Sequence, residues 1–220
     1  MNVFDIVGPV MIGPSSSHTA GACRLGFIAR ALLGEAPVSA HILLHGSFAK
    51  TYRGHGTDKA LIAGILGMLP DDADIRNSLQ IAQEKGLSVE LVPTELTGAH
   101  PNTAVITLTG QSGKKARMEG ASIGGGNVRI TQVDGMNVEI TGQYPTLIVL
   151  HRDVPGLIAS VSELVSAQGV NINNFRLSRD RKGGLAVMSI EMDSAPSADL
   201  FQKVASIEDV ISVTKLDSLA

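Results

Sequence analysis

This 220-residue chain has one cysteine, no tryptophan and only 3% aromatic residues. A lone thiol, Cys23, excludes an internal disulfide, a Cys-rich zinc site and a complete iron–sulfur cluster ligated by this chain alone. With neither a disulfide framework nor a signal peptide in view, the expected compartment is the cytoplasm. No apolar run approaches the length of a membrane span, so no membrane partner is expected. A formal net charge of −3 and scarce aromatics leave neither the basic patch nor the stacking platform that nucleic acid requires. What remains is a protein of small molecules. It is long enough to bury a core without staples and to form more than one domain.

What is present is a hydrophobic period that changes along the chain. After an apolar, Gly/Pro-punctuated stretch over 1–14 and the loop Ser15-Ser16-Ser17, the residues Ala22, Leu25, Ile28, Ala29, Leu32 and Leu33 form one helical stripe, with serines as N-caps and Gly34 as the stop. Ala40–His45 is predicted as a strand, and a short polar helix is predicted around Phe48–Tyr52. Thr57 is expected to cap a helix from Asp58 to about Met68, and Asp74–Lys85 reads as one further helix closed by Gly86. From His100 the texture is β: Thr103–Thr109, Lys114–Ser122, Asn127–Val133, an Asp134-Gly135 hairpin signal and Met136–Thr141. Gly142-Gln-Tyr-Pro145 breaks the pattern and marks the expected domain boundary.

The last segment reads as strand Thr146–His151, then a helix with Pro155 just inside its start and Leu157, Ile158, Val161, Leu164 and Val165 on one face. Strands Val170–Asp180 and Leu185–Met192, helix Ser197–Ala205 and strand Val210–Leu216 complete a β-α-β-β-α-β order, the ferredoxin-like arrangement. His151-Arg-Asp-Val-Pro-Gly-Leu157 and Gly169-Val-Asn-Ile172 on that order resemble the ACT domain, an amino-acid-sensing module, over essentially all of 146–220. Gly156 would let backbone approach a ligand, the helix start near Pro155 offers N–H groups to a carboxylate, and Asp153 could take an ammonium group. The resemblance to serine-binding ACT domains of phosphoglycerate dehydrogenases implies ligand contacts at His151, Asp153 and Asn171. Those domains carry an asparagine where this chain has Asp153, so the ligand class is better defined than its identity. The resemblance further implies a homodimer contact through paired ACT domains, with L-serine as a ligand. The plain alternative is that Pro155 and Gly156 only shape the turn of an unliganded dimerisation module.

Three polar clusters interrupt the apolar N-terminal part: Gly13-Pro-Ser-Ser-Ser-His-Thr-Ala20, Arg53-Gly-His-Gly-Thr-Asp-Lys59 and Gly98-Ala-His-Pro-Asn-Thr103. Hydroxyls, free N–H groups and a helix dipole make the first a cradle for carboxylate or phosphate, and the dipole disfavours an imidazolium at His18. Taken singly, each is equally a cap, a turn or a loop start, but caps do not require histidines. No His-x-x-x-His spacing supports a metal site, and Gly124-Gly-Gly126 lies between strands, unlike a dinucleotide fingerprint. Gly54-x-Gly-Thr-Asp-Lys59 does not match a phosphate loop, and the absence of a Gly-x-Ser-x-Gly elbow disfavours a hydrolase.

The run Phe4-Asp-Ile-Val-Gly-Pro-Val-Met-Ile-Gly-Pro-Ser-Ser-Ser-His-Thr-Ala-Gly21, with Gly54-His-Gly-Thr-Asp-Lys59 and His100-Pro-Asn-Thr103, resembles the β chain of iron–sulfur-dependent L-serine dehydratases, and the ACT-like tail fits that resemblance. It implies an α+β protein: an N-terminal α/β domain over 1–142, similar to the allosteric substrate-binding domain of certain phosphoglycerate dehydrogenases, then a βαββαβ ACT domain over 146–220. It also implies a separate α chain that ligates a [4Fe–4S] cluster, no metal ligand in this chain, and conversion of L-serine to pyruvate and ammonia. Under that reading Ser16, Ser17, His18 and His55 are the catalytic candidates. Ser15, Thr19, Thr57, Asp58, His100 and Asn102 are the substrate-binding candidates, and the α-proton base is unassigned between the chains. Competing readings are a non-catalytic serine sensor acting through ACT dimerisation and an ACT-mediated assembly protein. Cys23, on a helix beside small residues, is expected to serve packing.

Overall fold

The computed structural model describes residues 11–218, so the part of the N-terminal motif over 1–10 lies outside the described residues. The chain divides into two units, Met1–Asp134 and Gly135–Ala220. The first holds α1 (Ala22–Leu33), β1 (Pro37–His45), α2 (Ser47–His55), α3 (Thr57–Leu66), α4 (Ser78–Glu84), β2 (Ser88–Thr94), β3 (Thr103–Gly110), β4 (Lys115–Gly124) and β5 (Asn127–Val133). Its strands lie in the order β2-β1-β3-β4-β5; β1 and β2 are parallel and the other neighbours antiparallel.

The stripe of α1 is buried throughout, and Gly34 ends the helix in the left-handed conformation at φ 75°. Alternate residues of β1 (Ala40, Ile42, Leu44) and β3 (Ala104, Ile106, Leu108) are buried, the period of two that packs one sheet face. α1 packs on β3, β4 and α3. The crossing of α1 and α3 has no room for side chains: a Cβ on Gly26 would fall on the Leu61 carbonyl, and one on Gly64 would fall on the Cys23 carbonyl and within 2.6 Å of the Phe27 nitrogen.

The structure departs from the sequence expectations in several places. Gly56, left-handed at φ 73°, caps α3; Thr57 is its first residue and makes no capping bond. Asp74–Lys85 is not one helix. A 3₁₀ turn over Ala73–Asn77, capped by the Asp72 side chain on the Asp74 N–H, leads directly into the short helix α4, the two meeting at Asn77 with φ −103° and ψ 0°. β2 was not foreseen: Pro93 and a weak apolar alternation obscure a strand that survives at the sheet edge, where a missing N–H costs least.

In the second unit, β7 (Thr146–Arg152), α5 (Leu157–Ala167), β8 (Ile172–Arg179), β9 (Leu185–Met192), α6 (Ala198–Ala205) and β10 (Val210–Leu216) follow the expected βαββαβ order, and β6 is Met136–Ile140. The sheet runs β10-β7-β9-β8, all neighbours antiparallel. Leu147, Val149, Met188 and Ile190 meet Leu157, Val161, Val165, Leu200 and Val204 in its core. Pro155 lies outside α5, which starts at Leu157 after the left-handed Gly156, and Ile158 is 43% exposed rather than part of the packed face.

β6 falls within this unit and packs on β8 and β9. Buried Glu191 anchors the residue that follows it, accepting the Thr141 N–H and Oγ–H, each at 2.7 Å, and Asn174 Nδ2 at 3.3 Å. Among the described residues no helix is long and apolar enough to cross a membrane.

Gly64→Ala is expected to lower unfolding free energy by about 1–3 kcal/mol, because the added methyl meets backbone that cannot yield. Urea unfolding of the variant beside the parent chain measures it; an unchanged midpoint would contradict the crossing described.

Candidate functional site

The triple-serine loop enters α1 through a π-helical turn over Ser16–Gly21, and such turns recur at functional sites. Ser15 is its N-cap: its Oγ accepts the His18 N–H at 3.2 Å and lies 3.4 Å from His18 Nδ1. Ser16 and Ser17, half-buried, make no side-chain hydrogen bond to another described residue. Their N–H groups belong to the helix end whose donors have no partner one turn back.

His18 is where the clusters meet. Its Nε2 lies 3.0 Å from Ser47 Oγ, and its ring packs edge-on against Phe48 and against His55, with centroids 5.3 and 5.0 Å away. The third cluster reaches the same place through backbone: the Pro101 carbonyl accepts the Ser47 N–H at 2.7 Å and the Phe48 N–H at 3.4 Å, closing the start of α2. Gly46 permits this approach. A Cβ there would sit 2.6 Å from the Pro101 oxygen, and φ is 60°.

Burial holds His18 below the ordinary imidazole range, and the nearby His55 pushes it in the same direction. The neutral ring expected from the helix dipole thus has a different main cause, desolvation. Ser15 Oγ already accepts the His18 N–H. Each ring nitrogen faces a hydroxyl that can donate or accept, so the neutral ring donates through one nitrogen and accepts through the other, with Nδ1 toward Ser15 Oγ and Nε2 toward Ser47 Oγ. A hydroxyl, a base and an orienting group in line are the elements of a proton path.

The other candidates are distributed more loosely. His55 is exposed, edge-on to the His18 ring. Thr19, Thr57 and Asp58 are buried. Burial raises the Asp58 carboxyl above its usual range, against the opposing pull of the Lys59 N–H that its Oδ1 accepts at 2.8 Å. His100 is exposed, its Nδ1 accepting the Asn102 N–H at 3.2 Å, so its side chain folds back on its own loop. Asn102 bonds to the Ser122 carbonyl at 3.4 Å and accepts the Ser122 N–H at 3.1 Å.

Four buried polar atoms here lack any hydrogen-bond partner: Thr19 Oγ1, Thr57 Oγ1, Asn102 Oδ1 and Ser122 Oγ. Buried polar atoms are ordinarily satisfied, so these four depart from the rule. Ser47 and Ser122 were not singled out from sequence. The Gly46-Ser47 step between a strand and a helix was a usable signal for the first; Ser122 lies in an alternating strand and gave none.

In the second unit the four ACT candidates separate. His151 is buried, its Nδ1 2.6 Å from the Arg152 carbonyl and its Nε2 without a partner. Asp153 is not a free carboxylate: Arg179 Nη1 and the Gly183 N–H both reach its Oδ2 at 2.9 Å and hold it below the usual carboxylate range. Gly156 lies at the same end of the sheet, in the turn before α5. Asn171 lies at the other end, before β8, with Nδ2 on Asp193 at 3.0 Å, so an eight-residue strand of about 23 Å separates it from Asp153. One copy of the chain does not bring Asn171 to the others.

The chain is thus an α/β unit with hydroxyls and imidazoles at its helix starts, followed by a ferredoxin-like unit. Residues 2–133 match the family model described as serine dehydratase beta chain, and residues 145–209 match the ACT domain. A Bacillus subtilis (strain 168) protein named "Probable L-serine dehydratase, beta chain" is 41% identical over 98% of this chain and 97% of its own length. The "L-serine dehydratase, beta chain" of Peptoniphilus asaccharolyticus is 35% identical over 94% of each chain. A D-3-phosphoglycerate dehydrogenase of Mycobacterium leprae (strain TN) is 26% identical over 89% of this chain, spanning 37% of its own length. The chain belongs to the serine dehydratase beta chain family and carries a C-terminal ACT domain.

NMR titration of the His18 ring is expected to give a midpoint below the ordinary value of 6.5, so the ring stays neutral until the solution is more acidic than that. His55→Gln removes the neighbouring imidazole and should move the midpoint upward. No movement would separate the two imidazoles electrostatically.

Proposed function

We propose that this chain is the β subunit of an L-serine dehydratase that converts L-serine to pyruvate and ammonia, supplying substrate-facing groups to a site completed by a separate α chain. The observation that carries the reading is the convergence on His18 of the serine turn, Ser47 and His55. The names of the full-length relatives support it.

The donors of this chain do not suit a [4Fe–4S] cluster. Cys23 is buried with Sγ on the Met68 carbonyl at 3.3 Å, and burial, with Asp72 and Asp71 adding to it, pushes its thiol up to about 12. A cluster ligand must be a thiolate. Among the described residues no three His, Cys, Asp or Glu side chains are grouped to hold a metal ion. In this proposal the cluster and its Lewis-acid chemistry belong to the α chain.

The tasks of this chain are to bind, orient and move a proton. The hydroxyls of Ser16 and Ser17 and the N–H groups of their turn receive the substrate carboxylate at the positive end of the helix. His18, kept neutral, can hold a proton at Nε2 delivered through the Ser47 hydroxyl. The overall reaction balances as loss of water from serine to give aminoacrylate, which tautomerises and regains water as ammonia departs. In the ACT domain, the unpartnered Nε2 of buried His151 supports an amino-acid ligand completed by Asn171 of a second copy.

With the α chain co-expressed anaerobically, His18→Ala is expected to lower kcat/KM for L-serine by about 10²–10⁴-fold while iron content and subunit association stay unchanged. An unaltered kcat/KM removes His18 from the site. L-serine should also shift the full chain toward a dimer in sedimentation velocity, and Asn171→Ala should abolish that shift; a shift that survives the substitution refutes the shared ACT site.

A further inference from the structure

A second cavity of about 540 Å³ opens beside α2, lined by His45, Gly46, Ala49, Lys50, Thr94 and Glu95. It lies at the carboxyl ends of β1 and β2, the parallel pair of the sheet, where α/β sheets characteristically receive ligands. Its volume is in the range of small-molecule sites. It is separate from the His18 cluster by helix geometry: Ser47, Phe48 and His55 turn toward His18, whereas Ala49 and Lys50 fall on the other side of α2.

The chemistry of the lining is specific. His45 Nδ1 accepts the Leu96 N–H at 3.0 Å, so the neutral ring carries its proton on Nε2, where no described residue receives it. Lys50 and Glu95 bring opposite charges to one cavity without forming an ion pair with each other or with another described residue. An ammonium and an imidazole N–H favour a carboxylate. Glu95 and the Thr94 hydroxyl offer acceptors to a cation.

We propose that this cavity binds a small zwitterion, an α-amino acid, with its carboxylate toward Lys50 and His45 and its ammonium toward Glu95. The site is distinct from both the His18 cluster and the ACT candidates. It adjoins α2, so occupation would bear on the element that carries Ser47 and His55.

The test titrates glycine, the smallest such zwitterion and one without a hydroxyl, into the ¹⁵N-labelled full-length chain. The expected result is saturable shifts of the Gly46, Thr94 and Glu95 amides, persisting in His18→Ala, with affinity weakened at least about tenfold in Lys50→Glu and in Glu95→Lys. Both substituted side chains are exposed, and an unchanged unfolding midpoint verifies that each variant folds. Acetate, which has the carboxylate alone, should bind at least about tenfold more weakly than glycine. Shifts absent at these amides, affinity equal in the charge variants, or acetate binding as tightly as glycine would each overturn the proposal.

Discussion

The N-terminal unit depends on a helix crossing that contains no side chains. Gly26 and Gly64 let the backbones of α1 and α3 touch, and no larger residue fits either position. The serine turn runs without a break into α1, and His55 and Gly56 lead directly into α3. The depth of that crossing therefore fixes how closely His18 and His55 approach. Overpacking it by a methyl group would act at a distance, since close-packed interiors transmit displacement rather than absorb it.

A second backbone contact completes the arrangement. The Pro101 carbonyl closes the start of α2 and so ties the loop before β3 to the helix bearing Ser47 and His55. Three segments far apart in sequence thus meet around one imidazole. Its partial burial, more than any single charge, keeps it neutral and able to accept a proton. The only thiol of the chain is removed from chemistry by the same physics: burial favours the neutral thiol and leaves Cys23 as packing between α1 and the Met68 carbonyl. Desolvation prepares one group and silences the other.

Much of the fold was legible because it rests on periodicity. The α1 stripe, the alternation of β1 and β3 and the βαββαβ order all appear in the structure as read, since burying one face imposes a period of 3.6 or 2. What failed to read locally was edge or boundary behaviour. β2 was hidden by Pro93, the first turn of an apparent helix was 3₁₀ rather than α, and Gly56 rather than Thr57 capped α3. The site was half legible. His18, Ser15, Ser16, Ser17 and His55 carried signals in their own loops. Ser122 carried none, and Ser47 only its place after Gly46, because their relevance comes from neighbours 20 and 29 residues away in Asn102 and His18.

By itself the sequence determined the residue types available and the elements that carry them: hydroxyls and imidazoles ahead of helices, one cysteine, and a C-terminal ferredoxin-like order. Tertiary structure decided which of these meet. It joined His18 to Ser47, engaged Asp153 with Arg179, and set Asn171 a strand length away from the residues it was grouped with. The reason is physical. Periodic burial is encoded within a few residues, whereas the proximity of two polar groups depends on how separate elements pack, and no local pattern records that distance.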